Sequence, residues 1–365
     1  MSKPYGVVSD QHCHNWNAFS HTLPNGENSR LRIILDELLR AAQEVKDRGG
    51  DLLVNAGDVF HVRGSLAPSV LNPVQDAYKT ITQDMGLRVL ILSGNHDLEG
   101  KESSRLGSAV TSLEKVGCFI VNELTIFEDD GIAMIPWNPA INSTPAKGDK
   151  PARVGLKEQI ESIDPAIRSK LDLFLHAPID GVIVGLPDHG LDAVWLASLG
   201  FRRVFSGHYH NHKELGGGVY SIGATTQQTY GDIDTKAGYL VVDDTDVTWR
   251  SSRAPSFVEI DGETDPSEIP MIVDGSYVRA KVNTNKSSEI EAMRAYLIKN
   301  GAVGVTILPQ KAVEAKHART GASAIAAGAS VEGSIGSYIA AGGFSNPGPL
   351  ILLCNDILEE VRSSK

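Results

Sequence analysis

Cysteine is scarce in this sequence: Cys13, Cys118 and Cys354 are the only three in 365 residues. Odd in number and far apart, they exclude a disulfide framework and a paired-cysteine metal site, and they fit a reducing compartment. Long apolar runs are missing as well. No stretch is long enough to span a membrane, and Met1 to Asp10 holds no apolar run of signal-peptide length. A cytoplasmic protein with no membrane attachment is expected. Positive charge is also short. The formal net charge is -11, which opposes indiscriminate polyanion binding, so any nucleic-acid contact must come from a local basic face or from bound cations. There is no internal repeat. What remains, 41% hydrophobic and 22% charged residues, is the balance of a globular protein with room for about two domains.

What is present is a series of short apolar runs that end in polar side chains. The clearest is Leu87 to Leu92, which reads as a buried strand and is followed by Ser93-Gly94-Asn95-His96-Asp97. In open α/β folds ligands gather at the carboxyl ends of strands. By itself this could be an ordinary polar turn. Other runs, however, end the same way. Tyr5 to Ser9 leads into Asp10-Gln11-His12-Cys13-His14, where Asp10 and His12 share a side of an extended segment. An Asp-x-His pair brings a carboxylate and an imidazole to one point, which is metal-ligand chemistry. His14 has the same parity and is read as lying behind the ligands.

Leu52-Leu53-Val54 leads into Gly57-Asp58-Val59-Phe60-His61. The two oxygens and the negative charge of Asp58 suit it to bridging two cations. Leu171 to Leu175 runs into His176, and Val204-Phe205-Ser206 into Gly207-His208-Tyr209-His210. A lone strand-end histidine is more often structural, and His21, His189, His212 and His317 are read that way.

Between these runs, Leu31, Ile34, Leu35, Leu38, Leu39, Ala42 and Val45 predict a core-packing helix closed by Gly49-Gly50. A second helix is expected from Pro68 to Met85 and a third opening at Arg105-Leu106. Strand and helix thus alternate, the mark of a parallel α/β sheet. Short strands at 219–222, 238–242, 247–250 and 257–260 are expected to complete a second sheet packed on the first. Gln227 to Tyr230 either lines the cleft or forms a plain loop. Asp261 to Pro270 is read as a domain boundary. Beyond it come a strand at Tyr277 to Val282, a helix from Glu289 to Lys299 with a Ser288–Glu291 capping box, and a strand at Val303 to Leu308. Three regions follow: 1–260, a small β-α-β domain at 261–312, and a tail at 313–365. The tail is rich in Ala, Gly and Ser, with helical spacing at Val331, Ile335, Tyr338 and Ile339, and again at Leu353, Ile357, Leu358 and Val361.

Five segments therefore deliver ligand-type side chains in the order Asp-x-His, Gly-Asp, Gly-Asn-His-Asp, His, Gly-His-x-His. The set resembles the calcineurin-like metallophosphoesterase superfamily over roughly residues 5 to 260. The resemblance implies an α/β (α+β) fold: a four-layer β-sandwich flanked by helices, with the small β-α-β unit as a C-terminal capping domain. It also implies that Asp10, His12, Asp58 and His210 hold one metal, and Asp58, Asn95, His176 and His208 the other. Manganese is the expected ion, although the donor set suits iron or zinc as well.

Pairing Gly-Asp-x-Phe-His with Gly-Asn-His-Asp is similar to SbcD-type DNA nuclease subunits, which work with an SbcC-type ATPase. Protein phosphatases of the superfamily carry Glu where this chain has Asp97. The implied activity is exonuclease and endonuclease cleavage in DNA repair or recombination, by in-line attack of a metal-bridging hydroxide. His96 is expected to protonate the leaving oxygen and His61 to orient the scissile phosphate. A homodimer and an ATPase-binding tail follow from the same resemblance, and the compact length looks like phage versions. Two departures stand out: Gly223-Ala224-Thr225 replaces the common Gly-Ser-Pro, and the tail is glycine-rich. A small-substrate phosphodiesterase or phosphatase, and a non-catalytic scaffold for an ATPase, are the competing readings.

Overall fold

The computed structural model describes residues 3–101, 103–146, 154–309, 331–341 and 347–363. Of the tail expected at 313–365, residues 313–330, 342–346 and 364–365 lie outside these, as does His317. The chain forms two compact units: Met1–Val282 with Lys286–Leu308, and Asn283–Asn285 with Pro309–Lys365.

The first sheet starts with β1 (Tyr5–Val8), β2 (Leu52–Asn55), β3 (Arg88–Leu92) and β4 (Phe119–Val121), all parallel neighbours. Helices α1 (Ser29–Asp47) and α2 (Pro68–Lys79) make the first two crossovers. Asn28 caps α1 by accepting from the amides of Arg30 and Leu31. The buried face of α1 carries Leu31, Ile34, Leu35, Leu38, Ala42 and Val45, as its spacing predicts. Alternation splits the strand side chains. In β3, Val89 and Ile91 pack toward the helices, while Leu90 and Leu92 face the second sheet.

The second sheet is built from β5 (Thr125–Phe127), β6 (Ile132–Ile135), β7 (Asp172–His176), β8 (Arg203–Gly207), β9 (Lys213–Gly216) and β10 (Val219–Ser221), in the order β5-β6-β7-β8-β10-β9. Short helices α3 (Leu156–Glu161), α4 (Pro165–Arg168) and α5 (Ala193–Ser198) lie along its sequence. Phe174, Phe205 and Met134 meet Val7, Val54 and Leu90 between the sheets. With helices packed on the outer faces, the layers run helix, sheet, sheet, helix. This is the four-layer sandwich expected of a calcineurin-like metallophosphoesterase. Arg105 and Leu106 do not open a helix. They lie in a bend where Arg105 pairs with Glu114, and a 3-10 turn begins only at Ala109.

The later strands do not all join the second sheet. β11 (Gly238–Val242) and β12 (Val247–Ser251) return to the first, where β11 runs antiparallel beside β1. Leu240-Val241-Val242 is apolar on both faces, and only a strand covered on both sides buries it. β13 (Phe257–Ile260) leaves the sandwich and pairs in parallel with β14 (Tyr277–Val282), and β15 (Gly304–Pro309) completes a three-stranded sheet. Helix α6 (Ile269–Val273) precedes β14, and α7 (Ser287–Lys299) packs Leu297 into this sheet's own core. The capping box is absent, because α7 starts two residues too early for it: Lys286 is the N-cap and makes no side-chain cap bond. An aromatic seam of Phe19, Tyr230, Phe257 and Tyr277 joins the small sheet to the sandwich. In the second unit, α8 (Val331–Ala341) and α9 (Pro347–Ser363) fall where the sequence has helical spacing. No described helix is long and apolar enough to cross a membrane.

Candidate metal centre

β1, β2 and β3 of one sheet and β7 and β8 of the other deliver Asp10, Asp58, Asn95, His176 and His208 to one place. The chain turns sharply there. Six described non-glycine residues have a positive φ, and four of them are Asp10 (+49°), His12 (+46°), Asp58 (+53°) and His208 (+96°). Such backbone conformations are costly for ordinary residues and concentrate at functional sites. Two glycines make the close approach possible. Gly57 has φ +98° and sits against Gly94. A methyl group on Gly94 would overlap both the amide nitrogen and the carboxylate of Asp58.

All nine sequence-predicted residues converge. Asp10, His12 and His210 form one donor group and Asp58, His176 and His208 a second, each with its ligand atoms within 4.8 Å of one another. Asp58 faces both, its Oδ2 lying 3.3 Å from His176 Nε2 and 3.7 Å from His12 Nε2. Asn95 Oδ1 is 3.0 Å from His176 Nε2 and 3.0 Å from His208 Nδ1. His12, His61 and His96 make a third group. The rings of His61 and His96 stack at 5.5 Å, and His14 lies behind, 5.3 Å from His61.

Hydrogen bonds fix several tautomers. His176 Nδ1 donates to the Ala56 carbonyl at 2.7 Å, and His96 Nδ1 to the His61 carbonyl at 2.6 Å. His210 Nδ1 lies 2.7 Å from Asp232 Oδ1 and donates to it. Each neutral ring therefore turns a lone pair at Nε2 toward the interior. At His176 that lone pair meets a carboxylate oxygen and an amide oxygen, all three of them acceptors. Only a proton or a cation resolves such a convergence, so this donor set fits a metal.

The electrostatics agree. Burial opposes a charge on His176, but the Asp58 carboxylate outweighs it and raises the pKa to about 9. Burial likewise opposes the Asp58 carboxylate, yet the same partner holds it well below the usual range. Burial and the neighbouring His176 charge lower His208 to about 3, and burial with His96 lowers His61 to about 4. The site favours positive charge beside Asp58 and neutral rings at His208 and His61.

Several supporting residues carry no role in the sequence reading. Asp97 accepts the backbone N–H groups of Asp58, Gly94 and Phe60, each at 2.9 Å, and so clasps two strand ends together. Its place directly after His96 was the available signal. Ser9 donates to Asp10 at 2.6 Å. Asp232 orients His210 from a loop where nothing in the spacing marks it. In the segment before it, Gln227 to Tyr230, the amides of Gln228 and Thr229 donate to Asp232 Oδ2. Trp137 stacks on His208 at 5.2 Å. His189 and His212 keep structural partners, the first taking the Tyr209 hydroxyl and the second donating to the Ser221 carbonyl.

The family model for calcineurin-like phosphoesterases matches residues 3–212. Two solved structures are similar in part. A dimetal phosphatase from Danio rerio is 12% identical, with 65% of this chain and 91% of that chain covered at a TM-score of 0.40. The nuclease MPE from Pseudomonas putida is 18% identical, with 59% and 66% covered at a TM-score of 0.26. No curated protein matches the chain.

Proposed function

The chain belongs to the calcineurin-like phosphoesterase family, and from that premise we propose that it hydrolyses DNA phosphodiester bonds at a two-metal centre, as an SbcD-type nuclease subunit. The observation that carries the metal centre is the pair of adjacent donor groups, with the Asp58 carboxylate of one also lying 3.7 Å from His12 of the other. Asp10, His12, Asp58 and His210 would hold one cation, and Asp58, Asn95, His176 and His208 the other. Divalent ions bound there, for which we propose manganese, supply Lewis acidity and positive charge beside the phosphoryl group.

The chain's own residues do the rest. Asp58 accepts the His96 backbone N–H at 2.7 Å, which fixes that histidine relative to the bridging carboxylate. With Nδ1–H committed to the His61 carbonyl, His96 can give up a proton only from Nε2, and only as the imidazolium. In that form it protonates the leaving 3′-oxygen. His61 is neutral at pH 7 because its pKa is lowered to about 4. Its Nδ1 lies 3.3 Å from His12 Nδ1 and its ring packs on Trp16 at 4.5 Å. When His12 donates across that contact, His61 is left with an Nε2–H that can orient a phosphate oxygen.

A DNA substrate is supported by the pairing of His61 with His96 and by the three-stranded sheet beyond the sandwich, which we read as a capping domain. An SbcC-type ATPase, a homodimer and a cytoplasmic location belong to the same proposal. The test is degradation of end-labelled double-stranded DNA with manganese, with His96→Ala alongside. Cleavage that the substitution abolishes supports the reading. Hydrolysis confined to bis-p-nitrophenyl phosphate refutes the DNA substrate and leaves a small-substrate phosphodiesterase.

A further inference from the structure

Trp137 stands at the rim of the centre, yet it supplies no ligand. It follows β6, whose neighbour β7 ends in His176, and its backbone N–H donates to the Ser93 carbonyl at 2.9 Å, fixing the loop to the end of β3. The indole stacks on His208 at 5.2 Å with 28° between planes. It meets His176 edge-on at 6.1 Å and 72°. Both histidines belong to the same donor group. The indole is only half-buried, and among the described residues no further ring or cation packs on it. Among the same residues its Nε1–H has no acceptor. A large flat surface is therefore held rigidly beside the centre with one face engaged.

Packing against His208 explains one face of this side chain and not the other. A smaller apolar residue would pack on an imidazole as well, without leaving indole surface to water. The substrate proposed above carries a flat aromatic base on either side of each phosphate. Stacking on an indole is open to every base, because every base has a π-face. The chain's negative charge adds to the case. At a net charge of -11 the rest of the surface contributes little general attraction for a polyanion, so a stacking contact would add to the hold that bound cations have on the phosphate.

We propose that Trp137 is a stacking platform for the nucleobase next to the scissile phosphate. This rests on the phosphodiesterase reading and narrows its substrate class to nucleotide diesters with little sequence preference. The test compares two diesters with the same leaving group, methyl p-nitrophenyl phosphate and thymidine 5′-(p-nitrophenyl) phosphate, hydrolysed by the manganese-loaded full chain. The wild type should favour the nucleoside ester in kcat/KM by roughly five- to a hundredfold, the range base–aromatic stacking spans. Trp137→Leu should pull that ratio toward one, chiefly through KM, while Trp137→Phe keeps most of it. Thymidine 5′-monophosphate should quench indole fluorescence in the wild type and much less in Trp137→Leu.

A substitution that slows both esters in proportion leaves the ratio intact, and Trp137 then only packs against His208. A wild-type ratio near one overturns the platform while the phosphodiesterase reading stands. Absence of hydrolysis of either ester overturns the phosphodiesterase reading and the platform with it. Should Trp137→Leu fail to fold, the wild-type ratio and Trp137→Phe still decide.

Discussion

Replacing Asp97 tests how the centre is held rather than what it does. The carboxylate is buried and accepts three backbone N–H groups, from Asp58, Gly94 and Phe60. Asp97→Ala leaves all three without a partner. Each buried donor left unsatisfied costs about 1–3 kcal/mol. Water entering the gap recovers part of that, so the loss should be roughly 3–6 kcal/mol, a large share of the 5–15 kcal/mol typical of whole domains. Asp97→Asn is milder. Its amide oxygen can still accept from Asp58 and Gly94 while its NH₂ faces the Phe60 N–H, so about one bond is lost. A gain opposes this, because burial and the nearby Asp58 charge raise the Asp97 pKa to about 7, and the amide removes that like-charge contact. The order of stability should therefore be wild type, Asn, Ala, with the Asn variant much nearer the wild type. Both should bind manganese more weakly, since the turn that aims Asp58 is no longer clasped. Thermal unfolding and metal content of the purified variants read these effects, at about 2–4 °C per kcal/mol for a large domain. An Asp97→Ala variant that melts with the wild type and keeps its metal would refute the clasp.

Other expectations follow from single contacts. Gly94→Ala should lower turnover on the order of a hundredfold, because its methyl group displaces Asp58 and shifts of about 1 Å at a reacting centre cost that much; a variant with wild-type rate would contradict it. Manganese affinity should rise with pH. His176 has a raised pKa of about 9, so below that value a proton must leave before a cation enters, and the affinity should gain about tenfold per pH unit between pH 6 and 8 for each proton displaced. Calorimetric titration in that range checks the slope, and a flat profile would be inconsistent. Cys13 and Cys118 are buried and burial pushes both thiols up, Cys118 to about 12. An aromatic disulfide reagent should leave these two unreacted in the folded protein and titrate all three cysteines in denaturant.

Much of the centre is legible because strand ends carry the donor side chains in contiguous motifs. Asp10 with His12, Asp58, Asn95 with His96, and His208 with His210 each sit directly beyond a short apolar run. The order of those motifs needs no knowledge of how the sheets pair. Residues that act from elsewhere were not legible. Asp232 reaches His210 from a loop between β10 and β11, and no periodicity links the two. Trp137 is an aromatic after a strand, a pattern that many loops share. Strand partnership failed for a related reason. An apolar run such as Leu240-Val241-Val242 shows that both faces are covered, and not which sheet covers them. The Ser288–Glu291 pair matches a capping pattern, but the helix begins two residues earlier and leaves Ser288 inside its first turn.

The claim on which the rest depends is that one carboxylate, Asp58, serves two cation sites at once. Its most direct test is the manganese stoichiometry of the purified chain, measured with His176→Ala and Asp58→Ala beside the wild type. Two equivalents are expected in the wild type, one retained in His176→Ala, and both weakened together in Asp58→Ala. A wild type that saturates at one equivalent, or an Asp58→Ala variant that still holds two, would contradict it.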